Sequence, residues 1–188
     1  MKSYHKKVIL FVILVASLTA LITSLFFFSP EELVKKVGVT NAYLLLFIIS
    51  FFGGFSAGGS VSFIAVLTTF AVGGLNPIFL GITAGVALAI GDIIMFLIGL
   101  KGRELVVGKW KKRIDKFSKF VDKKYHKFIP FIIYIYIGLT PLPNDIMILS
   151  LAAINYPKKK AYIPIILGDL TFAILIAVLA SMGISMFF

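Results

Sequence analysis

The chain has 188 residues, of which 60% are hydrophobic and 14% charged, and a formal net charge of +11. So few charged residues cannot cover a compact surface facing water, which excludes a soluble globule, a nucleic-acid-binding domain and a disordered tail and points to an integral membrane protein. The lysines and arginines lie in blocks between apolar runs, as in cytoplasmic loops against anionic headgroups, and the absence of cysteine removes disulfide and thiolate chemistry.

Residues 8–28 form an uncharged run of 21 residues, enough for one span at about 1.5 Å per residue across a core of about 30 Å. Lys2, Lys6 and Lys7 precede it, as in a signal peptide. The run is long, however, and no small-residue cleavage pattern follows before Ser29-Pro30, so an uncleaved transmembrane helix is expected. A connector with Glu31, Glu32, Lys35 and Lys36 completes residues 1–40.

Residues 41–74 carry no charge over 34 positions, too many for one span and too few for two. Gly53, Gly54, Ser56, Ala57, Gly58, Gly59 and Ser60 break the middle of this run. Glycine weakens a helix and allows tight turning, so the run reads as a re-entrant helical hairpin whose tip is buried or lines a wet cavity. After Asn76-Pro77 comes a span to about Leu100, with Gly81, Ala84, Gly85 and Ala89 permitting close helix packing.

Residues 101–128 differ in kind. Val106, Trp110, Ile114, Phe117, Val121, Tyr125 and Phe128 recur every three or four positions, while eleven Lys or Arg oppose Glu104, Asp115 and Asp122. The pattern is a basic amphipathic helix, lying in an anionic interface or packing its stripe on the protein's own spans. Residues 129–156 repeat the length problem, with Gly138, Pro141, Pro143, Asn144 and Asp145 at the centre, and read as a second hairpin. Lys158, Lys159 and Lys160 close it, and a last span follows to the end of residues 129–188.

With both long runs as hairpins, the N-terminus and every basic block fall on the cytoplasmic side of a multi-pass plasma-membrane protein. Hairpin-then-span then occurs twice in opposite orientation. Gly73-Gly74-Leu75-Asn76-Pro77 leads to Gly91-Asp92, and Ala152-Ala153-Ile154-Asn155-Tyr156-Pro157 leads to Gly168-Asp169. The expected fold is an all-α inverted repeat of re-entrant hairpin plus transmembrane helix, the arrangement of secondary transporters, with an N-terminal transmembrane helix and a basic amphipathic helix added.

Three stretches carry a resemblance over roughly residues 41–187: Phe55-Ser56-Ala57-Gly58-Gly59-Ser60, the span end from Gly91-Asp92 through Phe96 and Gly99 to Gly102, and Thr140-Pro141-Leu142-Pro143-Asn144-Asp145. The chain resembles the DedA family of proteins sharing the VTT (SNARE-associated) domain. The resemblance implies paired re-entrant hairpins and movement of polyprenyl phosphate or phospholipid across the bilayer, often with dependence on the proton gradient. Many bacterial members carry an acidic residue at the first tip and arginines near the second. This chain has Gly58-Gly59-Ser60 and Asn144-Asp145 there, and its only arginines, Arg103 and Arg113, lie in the basic block.

Carboxylates inside a membrane are costly and become functional candidates by default, which singles out Asp92, Asp145 and Asp169. Asp145 ranks first because it lies at a helix break, where it serves as cap, as ligand or as both. Asp92 and Asp169 follow glycines inside spans, with hydrogen bonding to the facing hairpin as the alternative to a protonatable or cation-binding role. Asn144, Pro141 and Pro143 at one tip and Gly58, Gly59 and Ser60 at the other complete the expected substrate and coupling site, with half-helix N-termini and tip amides holding an anionic headgroup. Asn76 and Asn155 read as turn formers. No phosphate loop, metal-spaced cluster or Ser-His-Asp set is present, so neither an enzyme nor a cofactor or metal is expected.

The expectation is a DedA-like flippase of an anionic lipid with a proton or sodium ion as coupling ion. The alternatives are an ion-coupled exporter of a small ion or amphiphile, and a membrane organiser that transports nothing. Anionic lipids are the expected partners, nucleic acid is not, and a homo-oligomer is compatible with the sequence.

Overall fold

The structure is a computed structural model that describes residues 30–54, 59–104, 112 and 127–183. The expected first transmembrane helix and residues 105–111 and 113–126 of the basic amphipathic stretch lie outside the described residues, while residues 101–104 of that stretch continue the helix that precedes it. Every element among the described residues is a helix: α1 Pro30–Val37, α2 Val39–Gly53, α3 Gly59–Val72, α4 Pro77–Glu104, α5 Ile129–Leu139, α6 Asn144–Ala153 and α7 Lys158–Ser181.

Helix lengths follow the punctuation of the sequence. α1 opens on Pro30, whose missing N–H is no loss at a helix start, and carries Lys35 and Lys36 in its last turn, at the negative end of the helix dipole. Gly38, at φ 80°, turns the chain into α2. α2 stops at the glycine break, and α3 resumes at Gly59. α3 ends in a Schellman turn: Gly74 takes φ 89°, Leu75 N–H donates to Phe70 O at 3.2 Å, and Gly74 N–H donates to Ala71 O at 3.3 Å. α6 ends in the same way, with Asn155 at φ 55°, Tyr156 N–H on Leu151 O at 2.9 Å and Asn155 N–H on Ala152 O at 3.0 Å. The echo between Gly74-Leu75 and Asn155-Tyr156 is therefore an echo of backbone geometry. Asn76 then caps α4, its Oδ1 accepting from the N–H groups of Ile78 and Phe79.

Among the described residues, α4 and α7 alone are long and apolar enough to cross a membrane; the other apolar helices there, at 10–17 residues, are shorter. At about 1.5 Å per residue, the 28 residues of α4 and the 24 of α7 exceed a hydrocarbon core of about 30 Å. Their outward faces carry Ile78, Phe79, Ile82, Val86, Ile90, Ile163 and Leu167, large apolar groups exposed along the helices. An all-helical fold with two such helices is compatible with an all-α membrane protein.

α4 and α7 cross antiparallel at the centre of the molecule, and glycine sets how closely. A β-carbon on Gly81 would lie 2.5 Å from Ile174 Cα, and one on Gly85 would lie 2.7 Å from Leu170 Cα. α2 packs on α4 as α5 packs on α7, and each of the second short helices reaches across, α3 to α7 and α6 to α4. Two apolar cores result. One holds Leu46, Phe63, Leu67, Leu80, Leu88 and Ile176, and the other Phe96, Ile133, Ile137, Ile148, Leu151 and Ile165. Asp92 and Asp169 lie between them, near the midpoints of α4 and α7.

The close crossing makes a paired prediction. Gly81→Ala should destabilise the protein by about 1–3 kcal/mol, the usual cost of overpacking, because backbone must move. Gly102→Ala, on the same helix with nothing within 4 Å, should be neutral or stabilising by up to about 1 kcal/mol through helix propensity. Thermal unfolding of both variants in detergent checks this, and equal melting temperatures would mean that the helices are not in backbone contact.

Candidate functional site

The site begins with the break between α5 and α6. Thr140 leaves α5 in an extended conformation, and Pro143, at φ −59° and ψ 121°, precedes α6, whose first residue is Asn144. Pro has no side-chain acceptor, so α6 starts without a side-chain cap. The tip is tied back to its own first arm: Thr140 Oγ1 donates to Tyr136 O at 2.6 Å, and Tyr136 Oη donates to Pro143 O at 3.3 Å. Arg103, at the end of α4, donates from Nε to Ala153 O at 2.7 Å, placing a cation on the C-terminal end of α6.

So held, Asn144 reaches both long helices. Its Nδ2 donates to Asp169 Oδ1 at 3.0 Å and to Asp92 Oδ2 at 3.2 Å, so a single amide group bridges carboxylates on α7 and α4. The two accepting oxygens are separated by no more than the sum of those distances. Both aspartates are completely buried. Their other oxygens, Asp92 Oδ1 and Asp169 Oδ2, have no hydrogen-bond partner among the described residues. Burying an unpaired polar oxygen costs about 1–3 kcal/mol and more when it is charged, so these two atoms are the energetically most expensive feature of the crossing.

Glycine brings the short helices to each aspartate. Gly91 lets the end of α2 approach, since a β-carbon there would lie 2.5 Å from Phe51 O, and Gly168 does the same for α5, with Ile137 Cγ2 at 2.8 Å. Gly54 lies directly over Asp92, where a β-carbon would meet the Asp92 nitrogen and Oδ1 at 3.1 Å. Asp92 thus has the end of α2 on one oxygen and the start of α6 on the other. The repeated Gly-Asp pair shares one feature in both helices: the glycine admits the end of a short helix beside the aspartate.

The expected residues separate into groups. Asn144, Asp92 and Asp169 come together. Asp145 is buried in the first turn of α6 with Oδ2 unpartnered among the described residues, and no side chain caps that helix. Pro141 and Pro143 are exposed at the tip and shape it. Gly59 and Ser60 open α3, while Gly58 lies outside the described residues. Asn76 and Asn155 are turn and cap residues. Sequence reasoning passed over Ser50, fully buried on α2 one turn before Gly54 with Oγ unpartnered among the described residues; its only signal was a polar residue inside an uncharged run.

No family model, curated protein or solved structure matches the chain. What it does is therefore argued from its geometry.

The bridge predicts non-additivity. Asn144→Ala and Asp169→Ala should each destabilise the protein, and the double variant should be less damaged than the sum of the two by about 1 kcal/mol or more, since the second change removes a partner already lost. Unfolding free energies around this cycle measure the coupling, and strict additivity would show that the amide and the carboxylate do not interact.

Proposed function

We propose that the chain is a membrane transporter of the DedA type that moves an anionic lipid, a polyprenyl phosphate or phospholipid headgroup, across the bilayer. In this reading α2–α3 and α5–α6 are re-entrant hairpins, α4 and α7 are the spans, and the two units form an inverted repeat. The observation that carries the reading is the Asn144 bridge. A residue at the tip of one broken hairpin holds the midpoints of both long helices together through carboxylates that are otherwise unpaired. Secondary transporters keep their sites where discontinuous helices meet near the midplane. The matched packing of α2 on α4 and α5 on α7, the two Schellman turns and the paired Gly-Asp sequences support the repeat.

The headgroup is held at the N-terminal ends of α3 and α6, whose free N–H groups carry the positive end of the helix dipole. Asn144 is the latch. Hydrogen bonds to charged carboxylates are worth about 1.5–3 kcal/mol each, so making or breaking the bridge is on the scale of the few kcal/mol that separate two accessible conformations. Protonation or ion binding at Asp92 and Asp169 changes what the amide holds and thereby which side is open. The basic stretch of residues 101–128 keeps the protein oriented with that stretch in the cytoplasm and gathers anionic lipid. The chemistry is transport, without an enzymatic step.

The test is headgroup transport in reconstituted vesicles against pH. The wild-type protein should move an anionic headgroup with a pH-dependent rate, and Asp92→Asn and Asp169→Asn should flatten the profile while the purified variants stay monodisperse. Vesicles with no transport would favour a membrane organiser, and Asn variants that keep the wild-type profile would remove these carboxylates from the coupling.

A further inference from the structure

Charge is distributed unevenly between the two ends of the molecule. α4 ends with Lys101 and Arg103, Lys127 precedes α5, and α7 begins with Lys158, Lys159 and Lys160. Packing gathers these segments at one end: a β-carbon on Gly99 would lie 2.7 Å from Ala152 Cβ, Arg103 donates to Ala153 O at 2.7 Å, and Leu100, Ile129, Tyr156 and Ala161 meet in one core. Among the described residues, Glu104 is the one acidic residue that accompanies these six basic ones. At the opposite end, where Val34 of α1 packs with Leu75 and Ala180, Glu31 and Glu32 balance Lys35 and Lys36. Arg103 is engaged with α6, whereas the five lysines of the basic end are exposed. Those of α7 are the most costly. They occupy the first turn of a helix, at the positive end of its dipole, with no acidic residue in that turn and no side-chain cap. An anion there offsets both the dipole and the repulsion between like charges.

From this cluster one face of α7 continues as exposed apolar surface. Ile163 lies one turn after Lys159 and Leu167 one turn further, about 12 Å along the helix from Lys159, and both are exposed. Ile98 on α4 and Phe128 and Phe131 at the start of α5 are likewise exposed near this end. We propose that the lysines in the first turn of α7, joined by Lys101, bind the phosphate of one anionic phospholipid from the leaflet they face, with an acyl chain along Ile163 and Leu167. This adds to the transport reading a lipid partner at the rim, separate from the hairpin tips; it rests on α4 and α7 being spans and not on which molecule is moved. Cations set directly over exposed apolar side chains match a molecule with charge at one end and hydrocarbon at the other. An acidic peptide or a nucleic acid would meet the lysines and leave Ile163 and Leu167 in water, forgoing their burial. Each lysine offers the phosphate a point charge with three donors, and basic residues at the cytoplasmic ends of transmembrane helices form such headgroup pockets.

The experiment uses the full chain purified in an uncharged detergent and follows thermal unfolding as phosphatidylglycerol replaces phosphatidylcholine at constant total lipid. The melting temperature should rise saturably, by about 5–10 °C once the anionic lipid reaches roughly 100 times its dissociation constant. Lys158→Gln, Lys159→Gln and Lys160→Gln together should weaken the apparent affinity by about fivefold per lysine removed, and added NaCl should weaken it in the wild type. Arginine at the same three exposed positions keeps the charge and should keep the response. Lys35→Gln with Lys36→Gln, at the other end, should leave it unchanged. Native mass spectrometry gives a second reading that does not depend on unfolding: the wild type should retain one phosphatidylglycerol, and the triple Gln variant should lose it. An equal response to both lipids, a triple Gln variant that responds like the wild type, or an equal loss in the Lys35 and Lys36 variant would overturn the proposal. Equal stabilisation by soluble glycerol phosphate would also overturn it, since the acyl chain would then contribute nothing. Selective lipid binding without headgroup movement in vesicles would overturn the transport reading alone, and headgroup movement without selective binding would overturn this site alone.

Discussion

Two carboxylates buried where the longest helices cross are the constraint on which the rest of the structure depends. Removing an ionised group from water without a partner costs several kcal/mol even after relaxation, against a total stability of about 5–15 kcal/mol for a folded domain. Asp92 and Asp169 share one such place, and among the described residues the amide of Asn144 is the side chain hydrogen-bonded to both. The geometry of the second tip, including the Thr140 and Tyr136 bonds that tie it back, is what delivers that amide. Apolar packing alone would be served better by leucines at these positions. Their presence therefore reflects something other than stability.

The glycines follow from the same requirement. For Asn144 to touch both carboxylates, α4 and α7 must approach closely, which Gly81 and Gly85 allow. For helix ends to reach the aspartates, the span surface must be indented next to each one, which Gly91 and Gly168 allow. A membrane offers little hydrophobic drive to hold apolar helices together, so close van der Waals contact at small residues carries much of the association. Packing and polar site are thus set by the same short segments.

Much of this arrangement was legible from residues close together in the chain. The glycine break, the Pro-Leu-Pro break and the residues before Pro77 and Pro157 mark helix ends because backbone freedom and missing donors act locally. The bridge was not legible, because Asn144 and Asp92 are 52 positions apart and nothing local in either says that they meet. Asp145 ranked first in sequence because it sits at the break. In the structure its neighbour makes the long-range contacts, since the first turn of α6 points successive side chains in different directions. The close helix crossing was anticipated through small residues, but which glycine faces which backbone depends on rotation about the helix axis, and an apolar helix with no polar face leaves that rotation unspecified.

The choice of an amide at the bridge bears on how the cluster works. An arginine there would form a bidentate salt bridge and neutralise one carboxylate permanently, and separating such a buried pair costs about 3–5 kcal/mol. A latch of that strength would hold one arrangement of α4, α6 and α7 almost exclusively. Asparagine carries no charge, and it donates to one oxygen of each aspartate without neutralising either. Its side chain also offers donor and acceptor from the same position, whereas lysine and arginine offer donors alone.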